Sequence, residues 1–565
     1  MPAISLNPGF IPIVMALIVL ALPRVARAPS MAAAAFVAMW LLLDRELGST
    51  AAIEQMGLPM VPLNLDPLNR IFGIGLLIAL VLVAIYSSAR RNRYEDAAIL
   101  LLVGGSVSAL FVGDFVSFVA AASLAGLAAA WGVFCSSVDN AAHAGVRLLI
   151  WHGIEGLLFL VGVAFHLAAH GANPTFTQLD VTTIGGAFMF AALMIRVGAP
   201  FAHVWLKDIV SHASPTGGVA LSAFTSMLGL YALARFFPSE PLLVPIGAGM
   251  MVVGAFFAAA EDDVRRIAAY GLTTQIGMCV ALIGVGSPLA LAAAEGHAFT
   301  TIFAFMLVQM ALGAVIHRAG GARASQLAGL SRAMPITTLA LTLGGLAAGA
   351  LPGLAPFVSL AVAYDAASQW ELRWLWTLIT ALSAAMFVSV CLRVVLAANL
   401  PPEKPVRFLE APFTMLLGMT LAGFFCVSIG IAPGWLYGLM PTELSFQPFT
   451  LDRVAPQFEL LGAAGLIYLA LRAVRLAPKE QTVRLLDIDA FYRGPVAGAG
   501  RWAGVVLLRL SGAGQAMFER LSQRGALRLE AWARSFDRPY TQRLASAAQF
   551  ATIAIVVAII WFAGR

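Results

Sequence analysis

Charge is scarce in this sequence: Asp, Glu, Lys and Arg make up 11% of its 565 residues, against 60% that are hydrophobic. A soluble globular chain carries about 25% charged residues. With a mean hydropathy of +0.87, this chain cannot coat a water-facing surface, and a soluble fold is excluded. Cysteine is scarcer still. The four cysteines, Cys135, Cys279, Cys391 and Cys426, lie far apart and form neither a CxxC pair nor a Cys/His cluster. That pattern offers no structural zinc site and no iron–sulfur centre, and the four are expected to pack as small apolar side chains. The chain also lacks a dinucleotide fingerprint and a haem motif. It is expected to bind no cofactor and to be no catalyst alone, so that any oxidoreductase activity would belong to an assembled complex.

What fills the chain instead is apolar helix. Windows of about 17–25 apolar residues recur, and they predict an all-α polytopic membrane protein of about 14–16 spans. Roughly placed, these are 8–23, 30–44, 71–88, 97–112, 114–134, 147–168, 184–204, 217–235, 242–260, 266–286, 292–317, 336–362, 372–398, 411–434, 458–474 and 546–562. The first window has no convincing small-residue cleavage site after it and is expected to remain a span. The net charge of +6 then reads as loop arginine rather than as a nucleic-acid surface. Arg24 and Arg27, Arg90 to Arg93, Arg265 and Arg266, Arg318 to Arg332, and Lys404 with Arg407 follow alternate spans. By the positive-inside rule both termini are expected outside the cytoplasm of a bacterial inner membrane. Composition changes after about residue 475. Arg501, Arg509, Arg520, Arg524, Arg528, Arg534, Arg538 and Arg543 are spaced among apolar residues, which predicts an amphipathic segment over 476–545. The expected organisation is a transmembrane core at 1–475, that lateral segment, and a terminal anchor at 546–565.

Ionisable residues inside apolar spans mark function by default, because an unpaired charge there is costly. Arg196 stands in the stretch Phe188–Pro200 and cannot shed its charge. The Gly198-Ala199-Pro200 that follows weakens the helix, so a broken helix lining a polar path is expected. Gly349–Phe357, with Pro352 and Pro356, repeats the pattern, as paired inverted repeats would. His152 and Glu155 are three apart and share a helix face. They could exchange a proton or simply stabilise packing, and both readings stand. His203 and His297 are further polar members of the spans. His166 and Asp114 read as structural, the latter as a helix cap.

The stretch Asp263-Val-Arg-Arg-Ile-Ala-Ala-Tyr-Gly-Leu-Thr-Thr-Gln-Ile-Gly277 resembles the signature of antiporter-like membrane subunits, in which Asp263, Arg266, Tyr270 and Gln275 take motif positions. These subunits occur in Mrp-type cation/proton antiporters, membrane-bound hydrogenases and respiratory complex I. Trp205-Leu-Lys-Asp208, Ser214-Pro215, the Tyr231–Arg235 pair, Gly296-His-Ala-Phe299 and Leu351–Ser359 are similar to further family motifs. The resemblance covers roughly residues 65–435. Beyond it, Asp487–Arg493 and the last span look like the tail of the longer D-type Mrp and L-type complex I members.

The resemblance implies movement of protons, or of sodium or another monovalent cation, in company with other membrane subunits. It also implies a central axis of glutamate, lysines and histidines. Here that axis is depleted. The family glutamate falls at Ser123, and three lysine positions fall at Arg196, Thr301 and Leu360. Glu155, one span along, is expected to serve as the carboxylate partner of Arg196. An ion-conducting subunit is therefore one reading. A degenerate scaffold or coupling subunit, for example beside an inorganic-carbon uptake protein, is the other. A stand-alone solute transporter fits the broken helices but not the motif series.

Overall fold

The computed structural model describes residues 6–474, apart from 56, 90–91, 172, 322, 325–326, 370–371, 402–408, 443 and 445, together with the single positions 492, 495 and 498. Apart from those three positions the expected lateral segment, with its arginines, and the last span therefore lie outside the described residues, as do Arg90, Arg91, Lys404 and Arg407.

The chain is helical almost throughout. Helices α1 (Phe10–Val19) and α2 (Arg24–Leu43) precede a small hairpin, β1 (Thr50–Gln55) and β2 (Leu58–Asn64). Then come α3 (Pro67–Ser87), α4 (Arg93–Phe111), α5 (Phe115–Phe134), α6 (Ala141–Ala169) and α7 (Ile184–Val197). The middle holds α8 (Val204–His212), α9 (Pro215–Phe224), α10 (Met227–Phe236), α11 (Leu243–Ala260), α12 (Val264–Val285) and α13 (Pro288–Ala319). The last part holds α14 (Leu330–Ala333), α15 (Pro335–Ala348), α16 (Ala355–Gln369) and α17 (Arg373–Met386). Helix α17 runs through a π-helical turn (Phe387–Leu392) into α18 (Arg393–Asn399), followed by α19 (Phe413–Ile431), α20 (Gly434–Tyr437) and α21 (Leu451–Ala473).

Twelve of the described helices, counting α9–α10 and α17–α18 as single spans, are long and apolar enough to cross a membrane, and α1, α7 and α15 are shorter apolar helices. Each expected span up to residue 474 thus falls on an observed helix or broken pair. Sequence reasoning misses the hairpin, and it sets the second span too late. Arg24 and Arg27, expected in a loop, form the first turn of α2, where Arg27 lies 3.6 Å from Asp96.

Side chains at the helix starts dictate where the helices begin. Asp66 and Asn69 make a reciprocal capping box ahead of Pro67. Asn92, Asp114, Thr183, Ser214, Asp263 and Ser287 each accept a backbone N–H from the first turn that follows. Packing between spans cannot draw on the hydrophobic effect, since lipid is as apolar as leucine, so small residues let backbones close up. The clearest case is α11 against α12. A Cβ on Gly277 would lie 2.7 Å from Met250 Cβ and 2.8 Å from Gly247 O, and one on Gly284 would lie 2.8 Å from Val244 N.

The bundle has two polar faces. On one, the hairpin, Gly113, the 170–183 loop and the α10–α11 and α12–α13 turns are tied by Gly113 N to Val61 O (2.8 Å), Leu179 N to Phe236 O (2.8 Å) and Ser239 N to Ile283 O (3.0 Å). On the other, Arg265 donates to the carbonyls of Ala213 (2.8 Å) and Ser211, and Arg393 donates to those of Ala259 (2.8 Å) and Glu261.

Candidate functional site

Both expected helix breaks exist, and both are built alike. After α7 the chain turns through Gly198 (φ +73°) and Phe201 (φ +75°) before α8, with Pro200 inside the turn. After α15 it turns through Ala350 (φ +55°) and Gly353 (φ +91°) before α16. Pro352 sits in that second turn, and Pro356 takes the second position of α16. Each break therefore pairs a glycine with a non-glycine residue in the left-handed region, which costs roughly 1–3 kcal/mol unless the surroundings enforce it. The proline does not itself end either first helix. Gly198 closes α7 as a left-handed C-terminal cap that returns its N–H to Ile195 O (3.1 Å).

Arg196 occupies the last turn of α7, where a cation favours the helix dipole. Its Nε donates to Glu155 Oε1 (2.5 Å), and its Nη2 donates to Ala122 O of α5 (3.1 Å). Glu155 Oε2 meets His152 Nδ1 at 2.7 Å. All three side chains are buried. The geometry explains why a serine stands at position 123. Ser123 Oγ faces the backbone of Gly156 at 3.3 Å from where its Cβ would be, so α5 and α6 touch beside Glu155. The carboxylate thus reaches the guanidinium from α6, and α5 contributes a carbonyl. Gly229 of α10 leaves room for the arginine, because a Cβ there would lie 2.7 Å from Arg196 Cγ. His152 Nε2 has no partner among the described residues, and its ring packs on Trp205 with centroids 5.5 Å apart.

His203 precedes α8 and lies beside the stacked rings of Phe257 and Tyr270, at 6.3 Å from each. One turn along, Lys207 Nζ stands 5.6 Å from the Tyr270 ring centroid. Asp208 receives both Nε (2.6 Å) and Nη2 (2.9 Å) of Arg147 from α6. Asp263 caps α12, and burial pushes its carboxyl above its ordinary value against the opposing pull of Arg265 and Arg266. Arg266 lies 3.7 Å from Glu261. The motif residues Asp208, Asp263 and Arg266 therefore sit on the arginine-bearing face, where they fasten α6, α8 and α12. Tyr270 and Gln275 point inward.

The second half is differently equipped. His297 is buried in α13 with Nδ1 2.9 Å from Ser359 Oγ and Nε2 2.7 Å from Gln275 Oε1. Gln275 Nε2 donates to Ala348 O (3.1 Å), at the end of α15. That orientation makes its Oε1 an acceptor, so His297 Nε2 carries a proton. A small cavity of about 20 Å³ lies beside His297, Gln275 and Ser383. Leu360, at the expected lysine position, lines it, and Gln457 of α21 reaches the carbonyls at the break from outside. His297 is thus placed with Gln275 and apart from the Glu155 group. Gln275→Leu should leave His297 Nε2 and Ala348 O unpaired and cost about 1–3 kcal/mol. A thermal unfolding midpoint equal to that of the parent would refute this bonding.

Sequence reasoning misses Lys207 and Arg147, and also Glu95, which accepts from Ser214 Oγ and Gly217 N (3.0 Å) at the start of α9. Lys207 is legible inside the Trp205–Asp208 motif as a buried-side amine. Arg147 lies two turns before Glu155 on the same helix, and that spacing is the signal that could have found it. Among the described residues, no group of three His, Cys, Asp or Glu side chains could hold a metal.

Comparison with known proteins agrees with this architecture. Residues 125–386 match the family described as NADH:quinone oxidoreductase/Mrp antiporter, TM. A probable K(+)/H(+) antiporter component of Rhizobium meliloti is 30% identical over 44% of this chain and 26% of its own length. NADH-ubiquinone oxidoreductase chain 5 of Felis catus is 25% identical over 52% of each chain. NAD(P)H-quinone oxidoreductase chain 4 1 of Synechococcus elongatus is 24% identical over 57% of this chain and 65% of its own. In each case the chain spans less than two thirds of the relative. Among solved structures, a chain of the Mrp complex from Dietzia sp. DQ12-45-1b superposes with a TM-score of 0.69 at 17% identity, over 82% of this chain and all of that one. A chain of Thermus thermophilus respiratory complex I gives 0.68 at 17% identity, over 81% of this chain and all of that one. The solved structures share the fold, and residues 125–386 of this multi-pass membrane protein are similar to the NADH:quinone oxidoreductase/Mrp antiporter transmembrane family.

Proposed function

We propose that the chain is the antiporter-like membrane component of a multisubunit complex that translocates protons or another monovalent cation. The observation that carries this reading is the buried Arg196–Glu155–His152 group beside a broken helix. Intramembrane charges of this kind are expensive and persist where an ion path uses them. Arg196 supplies fixed positive charge and Glu155 the carboxylate, while His152 offers an unpartnered Nε2 as the site that gains and loses a proton. Lys207 and His203 stand next along this path, towards the arginine-bearing face. By the positive-inside rule that face is cytoplasmic, in a bacterial inner membrane. Residues 476–545 serve as a lateral arm along neighbouring subunits and 546–565 as an anchor.

A second reading has its own support. His297 is held by Ser359 and Gln275 with no amine at Thr301 or Leu360, which leaves the second half without a titrating lysine. In that reading the chain couples or scaffolds a better-equipped partner. Flux in vesicles holding the purified complex separates the two. Conduction through this chain requires that His152→Gln abolish flux while the complex still assembles. Flux at the parental rate in that variant would establish the scaffold reading instead.

A further inference from the structure

Glu295 lies in α13, two residues before His297 and therefore on a different helix face. It is 6% exposed, and among the described residues it is the only carboxylate with a buried oxygen that lacks a hydrogen-bond partner, Oε2. The charges that act on it are those of Arg235 first and Asp66 second. These two are already engaged with each other, Arg235 Nη2 donating to Asp66 Oδ2. Arg235 is also the charged member of a cavity of about 400 Å³ that opens on the hairpin face. Val61, Asn64, Gly113 and Thr177 form its other walls.

A buried carboxylate with neither a donor nor a counter-ion of its own is costly, and the cost disappears when it takes up a proton. Arg235 belongs both to the cavity wall and to the surroundings of Glu295. We propose that Glu295 is a proton-binding carboxyl that exchanges with water on the hairpin face by way of the Asp66–Arg235 pair, forming an outer port to the second half of the bundle. The proton comes from cavity water and returns to it, so no other reactant is needed. The port rests on the reading of the chain as part of an ion-translocating complex. It gives the second half a titrating group that Thr301 and Leu360 cannot supply.

The test is labelling of the purified complex in sealed, oriented vesicles with a membrane-impermeant carbodiimide, which adds to protonated carboxyls and leaves an adduct that peptide mass spectrometry locates. The expected result is an adduct on Glu295 when the reagent is on the hairpin face and none when it is on the other. Glu295→Gln should remove the adduct, and Thr177→Trp, which fills the cavity, should suppress it. Ion-paired Glu155 should remain unmodified throughout. No adduct on Glu295, equal labelling from both faces, or labelling indifferent to Thr177→Trp would overturn the port. Flux is read separately. A parent complex that moves no ions yet labels Glu295 from the hairpin face alone would refute the translocating role and leave the carboxyl site standing.

Discussion

Glu155→Gln or Arg196→Ala alone is expected to destabilise the protein by about 3–5 kcal/mol, because each leaves one charge buried without its partner. The pair is 4–5% exposed at its side chains and 2.5 Å apart, so water cannot compensate the survivor. Replacing both residues with glutamine removes the charges together and sets an amide at 196 where Nε of the arginine meets residue 155. That double variant should recover most of the lost stability, since a neutral isostere of a buried ion pair is often no worse than the pair. It should nevertheless carry no ions. The readouts are the thermal unfolding midpoint of the purified complex and its flux in vesicles. If the two single variants assembled and unfolded like the parent, the pair would not be the buried unit described above. A coupling energy near zero in the double-mutant cycle would say the same.

Gly277→Leu is the second large effect. Position 277 meets the backbone of α11 at Gly247, and the glycines at 247, 254, 277 and 284 are spaced to bring the two helices together along their length. A Cβ alone at 277 would press within 2.8 Å of Gly247 O. A leucine must drive α11 and α12 apart. Overpacking typically costs about 1–3 kcal/mol, and this site stands at the upper end of that range because backbone atoms and the Met250 Cβ, none of them the far end of a flexible side chain, block it. The separation should also move Tyr270 and Gln275, so His297 Nε2 loses its partner. Native gel mobility and detergent-resistant assembly would report the change. Gly153→Leu on α6, where a Cβ would meet nothing within 4 Å, is the control that should assemble normally.

Much of the bundle is legible in the sequence because membrane helices announce themselves through a single property, unbroken apolar length. Arg196 is legible for the complementary reason: a charge that cannot be neutralised is conspicuous among apolar neighbours. Its partner can be inferred because Glu155 is one span from the vacated Ser123 position and shares a face with His152. The hairpin is not legible, since Thr50–Asn64 is short and interrupted by Pro59 and Pro62, and its pairing rests on contacts with Gly113 and Asp114 far along the chain. The isolation of Glu295 is not legible either. A glutamate near a span end is noticeable as an ionisable group, but only the fold shows which groups fail to reach it. The breaks themselves begin one step earlier than their prolines suggest, because proline is conspicuous in a sequence while a left-handed Gly198 is not.

The π-helical turn at Phe387–Leu392 holds one residue more than an α-helical path would. An inserted residue rotates everything after it by about 100° and advances it by about 1.5 Å. Arg393 is the first residue past that turn, and its guanidinium closes over the carbonyls of Ala258, Ala259 and Glu261 at the end of α11. The turn therefore works as a phase shifter, aiming a latch from the last third of the chain at the C-terminus of a helix in its middle. Deleting a single residue from 387–392 would restore ordinary α-helix and swing the latch a quarter-turn off its keep, leaving those carbonyls to open.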